Sequence, residues 1–302
     1  MRVFLTGGTG YIGQAVLDAL LKAHHDVTVL VRDPERGNAL EARGAQPVLG
    51  DLATTRTYVK HAAGFDAYVH AAFSNSPRGA EIDQQSIETL LNLSRGSARH
   101  RPVAFLYTSG IWVLGECPAP VDETAPVQPI PHVAWRAAHE RIVLDATSGH
   151  LRTAVIRPGI VYGGGRGIVS GLLRDAENGL VSVVGSGENH WPLVYDRDLG
   201  DVYARVLADA TASGVYHATD ESDERVKDVV EAIVAATPQP PSVRYVPIEE
   251  MRKKLGTYAD ALALDQRVRS PRAKALGWSP SKSATTSAPG LFEELRRESP
   301  RR

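Results

Sequence analysis

The sequence predicts an α/β fold: a doubly wound parallel sheet followed by a smaller C-terminal part. Three observations carry this. Strand-like and helix-like runs alternate through the first 163 residues. The strand-like runs are apolar throughout, as strands covered on both faces must be. Three glycines, Gly7, Gly10 and Gly13, stand at three-residue spacing between the first strand and the first helix, where a dinucleotide-binding sheet carries its phosphate loop.

The elements follow in order. RVFLTG (2–7) is a short apolar strand ending in glycine, and YIGQAVLDALLKAHH (11–25) places Ile12, Val16, Ala19, Leu20 and Ala23 at helical spacing. DVTVLVR (26–32) is a strand, NALEARG (38–44) a short helix closed by Gly44, and AQPVLGD (45–51) a third strand. TTRTYVKHAAG (54–64) is expected as a helix, FDAYVHAA (65–72) as a strand, DQQSIETLLNLSRGSARH (83–100) as a helix, and PVAFLYTSG (102–110) as a fifth strand. PHVAWRAAHERIV (131–143) starts a helix, and LRTAVIRPGIVYG (151–163) is a sixth strand with its exit loop. Right-handed crossovers then give the doubly wound sheet.

The later chain is less regular: GLVSVVGSG (179–187), a helix over 197–210, a strand over 214–219, a helix over 225–237 and SVRYVPI (242–248). The expected division is a cofactor-binding domain over 1–163, to which 187–218 return, and a substrate-binding domain over 164–186 and 219–302. Residues 279–290 are rich in Ser, Thr and Pro and read as mobile, and Arg301–Arg302 as a frayed end. Residues 115–131 carry five prolines in a stretch expected to be a stiff loop, placed where a substrate cover would sit.

The totals narrow the function. The 302 residues have a formal net charge of −1, with no field to steer the protein to nucleic acid or an anionic membrane. The one cysteine, Cys117, cannot form a disulfide within the chain, which fits a reducing cytoplasm. No apolar run approaches the ~20 residues of a membrane span, so a cytoplasmic location is expected. No histidine spacing suggests a metal site. The stretch around Ser109 lacks the G-x-S-x-G elbow of a serine hydrolase.

In LTGGTGYIG (5–13), Gly7 permits the tight turn, Gly10 admits a pyrophosphate to the backbone at the positive end of a helix, and Gly13 lets helix and strand pack closely. The second strand ends VLVRDPER. An acid at a strand tip binds the ribose 2′-hydroxyl of NAD, whereas arginine suits the 2′-phosphate of NADP. Arg32 precedes Asp33, with Arg36 one turn later, so the sequence favours NADP over NAD.

Together these segments resemble the extended and atypical short-chain dehydrogenases/reductases, the group that contains the NAD-dependent epimerase/dehydratases. TGGTGYIG is similar to their T-G-x-x-G-x-x-G signature, and GDL (50–52), HAA (70–72), YTSG (107–110), IRPGIVYG (156–163), WPLVYDRDLGDVY (191–203) and KALGWSP (274–280) match later motifs over residues 1–280. The resemblance implies a Rossmann domain with substrate held against a smaller domain, in a monomer or homodimer. It implies cofactor contacts from Gly7, Thr9, Gly10, Tyr11, Ile12 and Gly13, and from Asp51 and Leu52 at the adenine. Ala71, Ala72, Thr108, Pro158, Gly159 and Val161 would line the cofactor nearer the nicotinamide. It makes Ser109 the catalytic hydroxyl of the fifth strand.

The family's catalytic helix carries Y-x-x-x-K, often with a Glu four residues on. Aligning Glu140 with that Glu puts Arg136 at the Lys and His132 at the Tyr, so the chain resembles a branch without the Tyr/Lys pair. Arg136 can hold ribose hydroxyls but cannot exchange a proton near neutrality. His132 can, and Arg136 one turn away should lower its pKa. Trp135 and His139 read as packing and surface residues. Tyr107 alternates with Thr108 and should face away from the cofactor. His190 and Trp191 read equally as substrate contacts or as a turn.

The expected activity is an NADP-dependent oxidoreductase acting on a small carbonyl, enone or alcohol. Ser109, His132 and Arg136 are the catalytic candidates. The alternatives are a redox-neutral epimerase or dehydratase with tightly bound nicotinamide, and a non-catalytic NADP-binding regulator.

Overall fold

The computed structural model describes residues 1–97 and 102–282. Its main sheet has seven strands, β1 (Arg2–Thr6), β2 (Asp26–Val31), β3 (Gln46–Leu49), β4 (Ala67–His70), β5 (Val103–Thr108), β7 (Leu151–Pro158) and β12 (Gly214–Ala218). They run in the order β12-β7-β5-β4-β1-β2-β3, every pair parallel. The expected doubly wound sheet is present. The order reverses between β1 and β4, and ligands of such sheets bind beyond the carboxyl ends at that switch.

Helices cover both faces because successive strand residues point to opposite sides. Val3 and Leu5 of β1 enter an apolar cluster with Val16, Leu17 and Leu20 of α1 (Tyr11–Lys22) and Val202 and Val206 of α6 (Asp196–Ala208). Phe4, between them, enters the opposite cluster with Tyr68, Tyr107 and Ile87 and Leu90 of α3 (Gly79–Ser97). α2 (Pro34–Glu41) packs on β3, and α4 (Ala134–Asp145) lies beside α3 and β7.

A third apolar cluster joins β8 (Ile160–Tyr162), α5 (Gly167–Glu177), β9 (Leu180–Val184), β10 (His190–Trp191), β11 (Leu193–Tyr195) and α7 (Val226–Ala236). Short parallel ladders pair β8 with β11, and β9 with β14 (Ser242–Val246). Another pairs β6 (Cys117–Val121) with β15 (Gln266–Val268). β10 runs antiparallel to β13 (Glu224–Arg225). α8 (Ile248–Leu255), α9 (Tyr258–Ala263) and α10 (Pro271–Ala275) complete the described chain. Within the stretch 187–218, α6 and β12 join the main sheet's layers, whereas Trp191, Leu193 and Tyr195 pack in the third cluster.

Several expectations are corrected. Residues 54–64 form one 3-10 turn at Thr55–Thr57 and then irregular turns. The Thr57 hydroxyl donates to the Thr54 carbonyl at 2.7 Å and accepts from the Asp51 amide at 3.0 Å, a local bonding that competes with helix. The sixth strand divides at Gly159 into β7 and β8, which belong to different sheets. Residues 115–131 are not all loop, because β6 pairs with a strand 149 residues away at Gln266–Cys117. Cys117 is buried there, and burial raises its thiol pKa to about 11. Most of the Ser/Thr/Pro-rich segment 279–290, and Arg301–Arg302, lie outside the described residues.

Candidate active site

β1 ends at Thr6, and Gly7 turns the chain with φ +81°. The Gly10 amide donates to the Gly7 carbonyl at 2.7 Å. A Cβ on Gly13 would lie 1.9 Å from that same carbonyl oxygen, so only glycine lets the loop close onto the helix. α1 starts with no side-chain cap and no acid in its first turn, leaving its positive end open to an anion. The Tyr11 hydroxyl donates to the Gly163 carbonyl at 3.0 Å and ties the loop to the chain beyond β8.

A cleft of about 520 Å³ runs from this loop across the carboxyl ends of the strands. Gly7, Thr9 and Gly10 line it at one end, with Ala71 and Ala72 from the end of β4. Asp51 and Leu52 line it further out, together with both arginines, Arg32 and Arg36. Asp33 is absent from that wall. Its carboxylate accepts from the Glu35 amide at 2.9 Å, capping α2, and lies 3.8 Å from Arg36 Nε.

A second cleft of about 460 Å³ continues from the first, and Phe73 and Asn75 line both. It brings together Tyr11, Ile12, Ser109, His132, Arg136, Pro158, Gly159 and Val161. Gly13 and Thr108 line neither cleft. Gly13 sits beneath the loop, and the Thr108 hydroxyl pairs at 2.7 Å with the Tyr203 hydroxyl on the α6 side of the sheet. The fold therefore gathers residues as far apart in the chain as Thr6 and Ile168 around one continuous groove.

Ser109 follows β5, its amide fixed to the Ile156 carbonyl at 2.8 Å. The residue is 6% exposed, and its hydroxyl has no hydrogen-bond partner among the described residues. A buried hydroxyl left unpaired costs about 1–3 kcal/mol, so this donor is set for an incoming acceptor.

His132 sits in a 3-10 turn just before α4. Its Nδ1 lies 3.1 Å from the Thr257 hydroxyl, and its ring packs against Trp112 and Tyr258. Burial lowers its pKa, Arg136 lowers it further, and Asp260 opposes both. Arg136 donates from Nη1 to the Thr108 carbonyl at 3.1 Å and, at 3.4 Å, to the Tyr107 hydroxyl. Its guanidinium carbon lies 4.3 Å from the Trp135 ring centre and 5.3 Å from that of Phe73, two rings stacked 5.0 Å apart.

Behind Arg136 lies a buried polar cluster. Asp83 accepts from the Tyr107 hydroxyl at 2.8 Å and pairs with His139 Nδ1 at 2.7 Å. His70 Nε2 sits 3.2 Å from its other oxygen without hydrogen-bond geometry, and His70 Nδ1 pairs with the Thr6 hydroxyl at 2.6 Å. Burial alone would raise the Asp83 pKa, but the hydrogen bonds from His139 and Tyr107, with the His70 ring close by, outweigh it and hold the carboxylate charged. Burial and Asp83 together keep the Tyr107 hydroxyl protonated. His139 is thus a buried partner of Asp83 and not a surface residue; the hydrogen bond spans 56 positions, beyond any local pattern. The next residue, Glu140, makes a bidentate pair with Arg157 of β7 at 2.6 and 3.0 Å, both residues buried.

Phe73, Asn75, Trp112 and Tyr258 were not foreseen as site residues. Phe73 and Asn75 follow HAA within four residues, and Trp112 follows Ser109 by three, so proximity to a motif was the available signal. Residues 115–131 line neither cleft, contrary to the expected cover; His132, just after them, lines the second. His190 bonds Asp265 at 2.8 Å, and neither it nor Trp191 lines a cleft. Among the described residues no cluster of three His, Cys, Asp or Glu side chains could hold a metal ion, and no helix is long and apolar enough to cross a membrane.

The parallel sheet, its glycine loop and the groove across the switch point define a dinucleotide-binding architecture. The family model of the NAD-dependent epimerase/dehydratases matches residues 3–218, and the chain belongs to that family. An uncharacterized protein of Schizosaccharomyces pombe is 31% identical over 294 residues, spanning 94% of this chain and 96% of its own. A 4-hydroxy-2-methyl-3-oxo-4-farnesyl-3,4-dihydroquinoline-1-oxide ketoreductase of Stigmatella aurantiaca is 35% identical over 171 residues, covering 54% of this chain and 51% of that protein. Among solved structures, the human epimerase family protein SDR39U1 (isoform 2) with NADPH superposes with a TM-score of 0.76 over 98% of this chain and 99% of that one, at 21% identity.

Proposed function

We propose that the protein is an NADP-dependent oxidoreductase that moves a hydride to or from a small carbonyl, enone or alcohol. The observation that carries this reading is the orphaned Ser109 hydroxyl at the second cleft, where that cleft continues from the phosphate-binding one. Family membership and the reductase name of the Stigmatella relative support it. In this reading residues 1–163 and 187–218 hold the cofactor. The stretches 164–186 and 219 onward serve the substrate: Gly167 and Ile168 line the second cleft, and Thr257 and Tyr258 back His132.

The residues fit the cofactor. The open start of α1 and the Gly7–Gly13 loop suit a pyrophosphate, as a Cβ on Gly10 would meet only the Gly7 carbonyl, at 3.0 Å. Arg32 and Arg36 line the cleft while Asp33 is occupied capping α2, which favours a 2′-phosphate over a 2′-hydroxyl. When bound, the nicotinamide supplies or accepts the hydride. Arg136 holds positive charge against ribose hydroxyls. The Ser109 hydroxyl donates to the substrate oxygen. With Thr257 donating to Nδ1, the neutral His132 ring carries its proton on Nε2 and offers it to the same oxygen. As that proton leaves, another enters at Nδ1 through the exposed Thr257 hydroxyl from water, so the ring ends neutral.

Two measurements test this. Titration of the protein with NADPH and with NADH, followed by nucleotide fluorescence, is expected to show NADPH binding at least tenfold tighter; equal or tighter NADH binding removes the arginine argument. Ser109→Ala is expected to lower kcat by about 10²–10³, the usual cost of one donor to a developing oxyanion. His132→Phe should also slow turnover, and undiminished turnover in either variant takes that residue out of the mechanism. NADPH binding without turnover on any carbonyl or alcohol would favour the regulator instead.

A further inference from the structure

The second cleft is walled by rings and aliphatic side chains. Phe73 and Trp135 stack at one side, Trp112 stands at another, and Ile111, Ile160 and Ile168 fill between. Among the described lining residues there is no acid, and the single permanent charge is Arg136. Its Nη1 donates to the Thr108 carbonyl and its guanidinium packs on two rings, neutral partners that leave the charge uncompensated, and the proposed reading gives that charge to the ribose hydroxyls. His132 is held towards its neutral form by burial and by Arg136. A diphosphate or a free carboxylate entering here would leave water for a wall whose one cation is shared with the ribose hydroxyls, and a buried anion without a partner of its own is strongly disfavoured. A flat apolar ligand gains on every wall, since aromatic side chains bury large areas and prefer stacked or edge-on ring contacts.

We infer that the substrate is an uncharged aromatic carbonyl compound whose ring packs on Trp112 while its oxygen meets the Ser109 hydroxyl. This rests on the oxidoreductase reading for the oxygen's role, but the ring contact stands on the cleft alone. Trp112 is then the residue that sets specificity. It follows Ser109 by three positions in the turn after β5, and its own ring is steadied edge-on by His132 and Tyr258, at 6.2 and 6.0 Å between centres. The shape-setting ring and the oxygen-binding hydroxyl therefore stand three residues apart at the end of β5.

The test is calorimetric titration of the full-length protein, with and without saturating NADP⁺, using three probes: 2-naphthaldehyde, phenylglyoxylate and UDP-glucose. The neutral aldehyde is expected to bind at least tenfold tighter than either anion. Trp112→Ala and Trp112→Leu are each expected to weaken it at least fivefold, and to lower at least tenfold the preference in kcat/KM for 2-naphthaldehyde over butanal. Equal or tighter binding of an anion, no binding of the aldehyde at millimolar concentration, or unchanged aldehyde affinity in both variants overturns the inference. A separate titration with NADPH reports on the underlying reading: no cofactor binding while the aldehyde still binds at Trp112 removes the oxidoreductase and leaves the aromatic site. The wild-type comparison of the three probes decides the matter even where a variant fails to fold.

Discussion

Gly13→Ala is expected to abolish useful NADPH binding. The new Cβ would start 1.9 Å from the Gly7 carbonyl oxygen and 2.5 Å from its carbon, both backbone atoms. The loop must move off the helix, and overpacking of this kind costs about 1–3 kcal/mol. If the strain is relieved by displacing the phosphate-binding turn, its upper end is an affinity loss of about a hundredfold. Gly171→Ala is the matched control, because nothing lies within 4 Å of its Cβ position in α5, and alanine there should stabilise the helix by up to ~1 kcal/mol. Nucleotide fluorescence titration reads the first effect and thermal unfolding the second. Gly13→Ala affinity within threefold of the parent would show that the turn does not bind phosphate.

Glu140→Ala is expected to destabilise the protein by about 3–5 kcal/mol, the usual cost of leaving a buried charge without its partner. Among the described residues Arg157, 3% exposed, would keep only His217 Nε2 as a side-chain partner, at 3.4 Å. That histidine is pushed down to about 4 by burial and by Arg157 itself, so it stays neutral and offers no counter-charge. Urea unfolding measures the loss; a change below about 1 kcal/mol would mean that the α4–β7 brace is dispensable. Because Arg136 lies one turn before Glu140 on α4, the surviving folded enzyme should also lose turnover. Glu140→Gln keeps the volume and one acceptor and is expected to fall between the two.

How much of this could be read in the sequence follows from the range of the interactions. The glycine loop and the strand–helix alternation depend on neighbours within a few residues, and the sheet matches them. The helix expected at 54–64 fails because three of its first four residues are threonines, and Thr57 bonds its own backbone neighbourhood instead. Reading 115–131 as loop overlooked a pairing with 266–268 that no local pattern announces. The turn before α4 and its first residues were placed at the site by motif position alone, and His132 and Arg136 do line the second cleft. What they touch there, Thr257 and Tyr258 for one and Thr108 and Phe73 for the other, comes from across the chain and could not be read locally.

The bond from Tyr11 to the Gly163 carbonyl sets an order on biosynthesis. The glycine turn leaves the ribosome before the residue that anchors its helix, which follows 152 positions later. Contacts of such long sequence separation form late, because the intervening chain must be ordered first. A nascent chain therefore carries the glycine turn through those 152 residues of synthesis without the clamp that steadies it, and the finished loop arrives only once β8 has been made.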